Sequence, residues 1–151
     1  MKRLTTLALP LLHLPVAAAA ADLIEFNKPI NSELRVETVI CKSPESLFLL
    51  YEGGYLAMKG GGKQSFEPYY QGALNSLTSV GECAVEKSPQ QVKVTAMATL
   101  TNPLKAPNST KIYGRFEMKG LRRDVFAISE DLPGLGDAIK AASQLEKKNS
   151  Q

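Results

Sequence analysis

Residues 43–81 carry the strongest pattern in the chain, two consecutive helical repeats of apolar side chains. Ser43-Pro44-Glu45 precedes the first repeat and supplies an N-cap, a proline at the first helical position and an acidic residue in the first turn. The apolar positions are Leu47, Leu50, Tyr51, Gly54, Tyr55 and Met58, then Phe66, Tyr69, Tyr70, Ala73, Leu74 and Leu77. This spacing predicts two amphipathic helices, the second of which ends near Gly81.

Glycines shape the predicted helical pair. Gly60 to Gly62 form a short link, so the helices should lie antiparallel as a helical hairpin. Gly62-Lys63 also matches part of a phosphate-binding loop, but Gln64 stands where that motif needs serine or threonine, and we interpret the link as a turn. Gly54 allows two interpretations. It lets the second helix approach closely, or Gly53-Gly54 ends the first helix early, because each glycine costs about 1 kcal/mol inside a helix.

The first 21 residues have the order of parts of a secretory signal peptide. The basic pair Lys2-Arg3 precedes an apolar run from Leu4 to Val16, and a stretch of alanines then offers cleavage before Ala21 or Asp22. The run is shorter than the ~20 residues of a membrane span, although an N-terminal anchor helix is the alternative interpretation. We therefore predict a soluble exported protein, periplasmic in a bacterium, with no integral membrane segment after cleavage.

Removal of this leader changes what the composition implies. Of 151 residues, 130 remain, enough for one domain, which we place at residues 22–136, with a short polar helix or tail at 137–151. The leader contains the only histidine, His13, and two of the 18 basic residues, so 16 remain against 15 acidic ones. Ser-His-Asp and Cys-His catalysis and His-ligated zinc are thereby excluded, and a net charge near +1 disfavours nucleic acid. We predict no metal and no cofactor.

Cys41 and Cys83 are the two cysteines of the chain. An even count in an oxidising compartment favours a disulfide. The two residues flank the predicted helical hairpin, whose outer ends should be neighbours. A bridge between them would close a loop spanning 42 positions, which stabilises the fold by up to about 4 kcal/mol. No C-x-x-C motif indicates a redox role, so we predict a structural bridge.

Outside the hairpin, apolar alternation favours strands. The predicted strands are Leu34–Cys41, Val92–Leu100 with one buried face, Ile112–Met118 and Asp124–Ile128. Leu132 to Gly136 is typical of a turn, after which Asp137 would cap a polar helix reaching about Lys148. The fold class predicted is α+β: an N-terminal strand and a disulfide-closed helical hairpin packed on a small antiparallel C-terminal sheet. An SH3-like barrel is one way to arrange those strands.

Two groups of residues are candidates for binding. Tyr55 and Tyr70 on the hairpin would make good interface anchors if exposed, although their spacing also fits core packing. Lys119, Arg122 and Arg123 surround a glycine turn and could hold a carboxylate or phosphate, although a solvated hairpin tip is the simpler interpretation.

No string of residues in the exported part has a catalytic spacing. We therefore predict non-enzymatic binding of another envelope or secreted protein, in the role of an inhibitor, an immunity protein or an accessory subunit. The alternative is a histidine-free hydrolase that acts on cell-wall material through two carboxylates converging in one cleft.

Overall fold

The structure, a computed structural model, describes residues 21–101, 110–118 and 124–149. The described part contains three α-helices and six strands, which confirms the predicted α+β class. In chain order the elements are β1 (Asp22–Leu34), β2 (Val39–Cys41), α1 (Pro44–Gly61), α2 (Phe66–Ser79), β3 (Cys83–Val85), β4 (Gln90–Thr101), β5 (Thr110–Glu117), β6 (Asp124–Ile128) and α3 (Pro133–Asn149). Short 3₁₀ turns cover Lys63–Ser65 and Ser129–Asp131.

The described strands form one antiparallel sheet in the order β1-β4-β5-β6-β2-β3. The sheet is open, with β1 and β3 as its two edges, so the predicted SH3-like barrel is not supported. The sheet is also larger than the small C-terminal sheet expected, because residues 22–41 contribute two strands to it.

A corner at residues 35–38 gives the sheet its shape. Leu34 in β1 pairs with Gln90 in β4, and Val39 in β2 pairs with Val85 in β3. From the first pair to the second, one segment advances by five residues and the other goes back by five, so the pairing keeps one register around the corner. Residues 22–41 and 83–101 are therefore two long bent segments that turn the corner together. The prediction of one strand from Leu34 to Cys41 is wrong at this point, because a turn interrupts it and leaves Val36 54% exposed.

Helix α1 begins as its sequence predicts. Ser43 is the N-cap, Pro44 is the first helical residue, and the Ser43 hydroxyl accepts a hydrogen bond from the backbone N–H of Ser46 at 3.3 Å. The hydroxyls of Ser43 and Ser46 also donate to the Glu82 carboxylate, at 3.0 and 2.9 Å. Because Glu82 precedes β3, these bonds tie the start of α1 to the chain that leaves α2.

The helical hairpin forms with α1 running through its glycines. Helix α1 continues to Gly61, so the interpretation in which Gly53-Gly54 ends it early is wrong. The ring of Phe66 in α2 lies directly on Gly54, where a Cβ atom would be 2.6 Å from the ring. The close-approach interpretation of Gly54 is thus confirmed. The link turns at Gly62, whose φ of 80° lies in the left-handed region that favours glycine.

The sheet is buried on both faces, each against different helices. On one face, the hairpin contributes Leu47, Leu50 and Leu74 to a core with Val39, Cys41, Ala98, Tyr113 and Phe126, among others. On the other face, Leu132 and Leu135 pack with Leu34, Ile40, Val92, Val94, Phe116 and Val125. The predicted alternation of β4 is confirmed, because the intervening residues are not buried whereas the five predicted apolar positions are: Val92, Val94, Ala96, Ala98 and Leu100. A bulge between Val94 and Ala96 divides them, so that Val92 and Val94 belong to the second core and Ala98 and Leu100 to the first.

Helix α3 begins earlier than the sequence predicts. The predicted turn at residues 132–136 is wrong, because the helix starts at Pro133 and Asp137 lies inside it. Leu132 and Leu135 are fully buried against the sheet. Helix α3 approaches β1 closely at Gly134. The N–H of Gly134 donates to the Ser32 hydroxyl at 3.1 Å, and a Cβ there would collide with the backbone oxygen of Asn31. Gly134, one of the two glycines that suggested a turn, instead allows this close packing.

The predicted disulfide is confirmed. Cys41 and Cys83 are directly opposite each other in β2 and β3, with their Cα atoms 4.1 Å apart, and the described part of the chain holds no free cysteine. None of the described helices combines the length and hydropathy that a membrane crossing needs. The predicted leader lies outside the described residues.

Candidate functional site

An open groove of about 310 Å³ lies between α2 and the end of the sheet. We call it the α2–β3 groove. Its lining residues are Glu37, Val39, Tyr70, Gln71, Leu74 and Val85. The valines and leucine make an apolar floor, whereas Glu37 and Gln71 place polar groups at its exposed sides. The groove therefore combines an apolar surface with a polar rim.

Three separate parts of the chain build the α2–β3 groove. Val39 and Val85 are directly opposite each other in β2 and β3, so their side chains share the face that the hairpin covers. Tyr70 and Leu74 are four residues apart on α2 and lie on the same side of that helix. The corner brings Glu37 to the end of the groove, where its N–H donates to the backbone oxygen of Glu86 at 2.8 Å.

A row of four aromatic rings connects the groove with the tip of the hairpin. Tyr51 and Tyr70 have ring centroids 5.7 Å apart, Tyr70 and Phe66 are stacked at 5.9 Å, and Phe66 and Tyr55 are 5.5 Å apart. Such distances are those of favourable aromatic pairs. The row stabilises the contact between α1 and α2 and holds the Tyr70 ring at the wall of the groove.

Carboxylates surround the Tyr70 end of the groove. Burial raises the pKa of the Tyr70 phenol against the lowering effect of its contact with the Tyr51 hydroxyl, and the charges of Asp131 and Glu67 raise it further. Burial and the adjacent Tyr70 also raise the pKa of Tyr51. Burial raises the pKa of Asp131 as well, and Arg35 nearby opposes this increase. Both phenols therefore stay protonated at neutral pH and can donate hydrogen bonds.

The structure connects the two predicted tyrosines through one neighbour. Tyr70 is half-buried and lines the groove, whereas Tyr55 is 42% exposed near the hairpin tip, and Phe66 lies between them. Each tyrosine thus packs in the hairpin and also reaches the surface. The three other predicted binding residues, Lys119, Arg122 and Arg123, lie outside the described residues.

The side of the α2–β3 groove that the sheet and its corner form was not predicted from the sequence. Glu37 and Val85 stand 48 positions apart, and only the pairing of β2 with β3 at the corner brings them together. Val85 follows Cys83 by two residues, so the predicted disulfide could have placed it on the face of the sheet that faces the hairpin. No local pattern identifies Glu37.

A buried carboxylate lies deeper in the molecule. Glu52 on α1 is only 1% exposed, although the helical period of the apolar residues gave no reason to bury it. Tyr113 on β5 is fully buried, and its pKa is raised by burial first and then by the charge of Glu52. Among the described residues there is no group of three or more histidine, cysteine, aspartate or glutamate side chains that could hold a metal ion.

Comparison with protein-family models, with curated proteins and with solved structures finds no match for this chain.

Proposed function

We propose that this protein is exported to the periplasm and acts there without catalysis, by binding another protein through the α2–β3 groove. The observation that carries the proposal is the groove itself, an apolar floor of Val39, Leu74 and Val85 beside an aromatic wall and a polar rim. Binding energy at protein interfaces concentrates where aromatic anchors and apolar pockets meet inside such a rim.

Two features of the chain support export. The first 21 residues have the parts of a signal peptide, and the Cys41–Cys83 disulfide is of the kind that persists in oxidising compartments. The exported part also has no histidine, which removes the commonest general base. A small, disulfide-closed scaffold of this kind suits an inhibitor, an immunity protein or an accessory subunit of an envelope assembly.

A pair of matched variants of α2 tests the role of the groove. Gln71 lines the groove and is exposed, so Gln71→Trp should fill the groove without disturbing the core. Asn75 is exposed one helical turn later and does not line the groove, so Asn75→Trp is the control. The protein and both variants would be produced by export, with the disulfide formed, and used to capture partners from envelope extract.

The proposal expects one protein to be retained near stoichiometrically by the parent protein and by Asn75→Trp, and to be lost with Gln71→Trp. Retention by all three proteins would contradict the groove as the binding site. If no protein is retained by the oxidised parent, binding as the function is overturned. Activity on cell-wall fragments that is lost on replacement of two carboxylates would instead favour the hydrolase alternative.

A further inference from the structure

We infer that the occupant of the α2–β3 groove is an extended peptide segment of its protein partner, which adds to β3 as a further strand and directs a basic side chain toward Glu37. This inference rests on the proposed function and names the class of partner. Addition of a strand to an exposed sheet edge is a general mode of peptide recognition, in which backbone hydrogen bonds give affinity and alternate side chains give specificity.

The backbone of β3 faces outward at two residues. In the pairing of β2 with β3, the N–H of Lys42 donates to the oxygen of Glu82 at 3.0 Å, and the N–H of Glu86 donates to the oxygen of Thr38 at 2.9 Å. Antiparallel strands alternate between residues that bond to the neighbour and residues that do not. The backbone groups of Cys83 and Val85, between these bonds, therefore point away from β2.

In the described part of the chain no strand lies beside β3 on that side. The N–H and C=O groups of Val85, which is only partly buried, are consequently available to an incoming strand. A strand added there would lie about 4.8 Å from β3. Its alternate side chains would share the face of Val85, and α2 covers that face with Tyr70 and Leu74. The groove is thus positioned to receive every second side chain of the added strand.

The charges around the groove select a basic occupant. Glu37 lines it, and Glu67 and Asp131 lie close enough to raise the pKa of Tyr70. The positive charge of Arg35 lowers the pKa of Asp131, against the effect of burial. Lysine or arginine two residues beyond an apolar side chain of the added strand would meet Glu37 at the end of the groove.

A second copy of this chain fits the edge less well. If two β3 strands paired antiparallel about Ala84, Glu82 of one copy would face Glu86 of the other. Like charges directly opposite each other destabilise a strand pair. A partner segment with basic residues avoids this repulsion, and we therefore assign the groove to a different protein.

Synthetic peptides test the inference directly. The probe is Thr-Val-Thr-Val-Thr-Lys-Thr, used together with its reversed sequence, because the orientation of the added strand is one of the results. A charge-reversed probe carries glutamate in place of lysine. Two further probes are N-methylated, one on the two valines and the other on the threonines that alternate with them. Each of these probes therefore lacks N–H groups on one edge of the peptide only. Binding is followed by NMR titration of the ¹⁵N-labelled, oxidised protein.

We expect the lysine probe to bind about fivefold more tightly than the glutamate probe, and the amide of Val85 to become protected from hydrogen exchange in the complex. N-methylation on one edge should weaken binding about fivefold, whereas methylation of the other edge leaves it unchanged. Loss with methylated valines indicates an antiparallel added strand, and loss with methylated threonines a parallel one. Equal effects of both methylations, or no protection of Val85, would overturn strand addition.

Glu37→Lys tests the charge assignment, and Glu33→Lys is its control. Glu33 is exposed on β1 and does not line the groove, so both variants change the net charge equally. Glu37→Lys should abolish the preference for the lysine probe, and Glu33→Lys should preserve it. An equal loss of preference in both variants, or absence of binding by every probe, would overturn the inference. Should a captured partner nevertheless depend on Gln71, the proposed function would stand and only the strand-addition mode would fail.

Discussion

The same substitution, glycine to alanine, should affect stability differently at two positions of the helical hairpin. Gly54 in α1 lies under the ring of Phe66, whereas Gly72 in α2 has no atom within 4 Å of the position that a Cβ would take. Replacement of glycine by alanine inside a helix stabilises it by about 0.8–1.0 kcal/mol when nothing else changes. Gly72→Ala should therefore raise the free energy of unfolding by about 1 kcal/mol.

At Gly54 the new methyl group meets the aromatic row. A Cβ would lie 2.6 and 2.7 Å from Cε2 and Cδ2 of Phe66, well inside the ~3.5–4.0 Å of a favourable carbon contact. Phe66 is stacked on Tyr70 and packed against Tyr55, so a shift of its ring disturbs both neighbours. Overpacking of this kind costs about 1–3 kcal/mol. After the gain in helix propensity, Gly54→Ala should be between neutral and about 2 kcal/mol destabilising.

Urea unfolding of the oxidised proteins, followed by circular dichroism, measures both effects. We expect Gly72→Ala to be the more stable variant by about 1–3 kcal/mol, with similar dependence of the free energy on denaturant. If Gly54→Ala proves as stable as Gly72→Ala, then Phe66 does not rest on Gly54, and our account of the hairpin contact is refuted.

Three further variants probe the sheet and its surroundings. Replacing Cys41 and Cys83 together by alanine should lower the free energy of unfolding by up to about 4 kcal/mol, since the bridge closes a loop spanning 42 positions; equal stability of the variant and the oxidised parent in urea would contradict this. Gly134→Ala should destabilise the protein by about 1–3 kcal/mol in thermal unfolding, because a Cβ would collide with the backbone of Asn31; an unchanged melting temperature would show that α3 does not cross β1 so closely. Burial raises the pKa of Asp131, so its protonated form favours folding, and the stability it contributes below about pH 3.9 is lost as the pH rises through its folded pKa. Asp131→Asn should consequently gain stability relative to the parent between pH 4 and pH 7, and a difference that does not vary with pH would contradict this.

The elements that depend on neighbours in sequence were predictable. The start of α1 at Ser43, the helical hairpin and the Cys41–Cys83 bridge follow from capping chemistry, apolar period and the compartment that the leader indicates. The strand at residues 90–101 was also visible, but the bulge between Val94 and Ala96 was not, because the alternation of residue types continues unchanged through it. Only pairing with β5 reveals that the strand changes its buried face.

The remaining errors have the same origin, because the sequence does not show which distant segments approach each other. Gly134 and Gly136 indicated a turn, since glycine favours turns when nothing packs against it. In the folded chain, Gly134 lies against the backbone of Asn31, a residue 103 positions earlier, and a helix is the conformation that fits there. One side of the α2–β3 groove escaped prediction for the same reason, since the corner that delivers Glu37 exists only when residues 22–41 pair with residues 83–101.

Glu37 links the shape of the sheet to the proposed binding site. It is the third residue of a turn closed by a 3.3 Å bond from the N–H of Thr38 to the oxygen of Arg35, and its φ of 66° lies in the left-handed region. Glycine or asparagine would satisfy that backbone better, and other residues incur about 1–2 kcal/mol there. The corner therefore explains the turn but does not explain a glutamate in it. The proposed contact of this carboxylate with a basic side chain of the partner would supply that reason, because strained residues of this kind concentrate at functional sites.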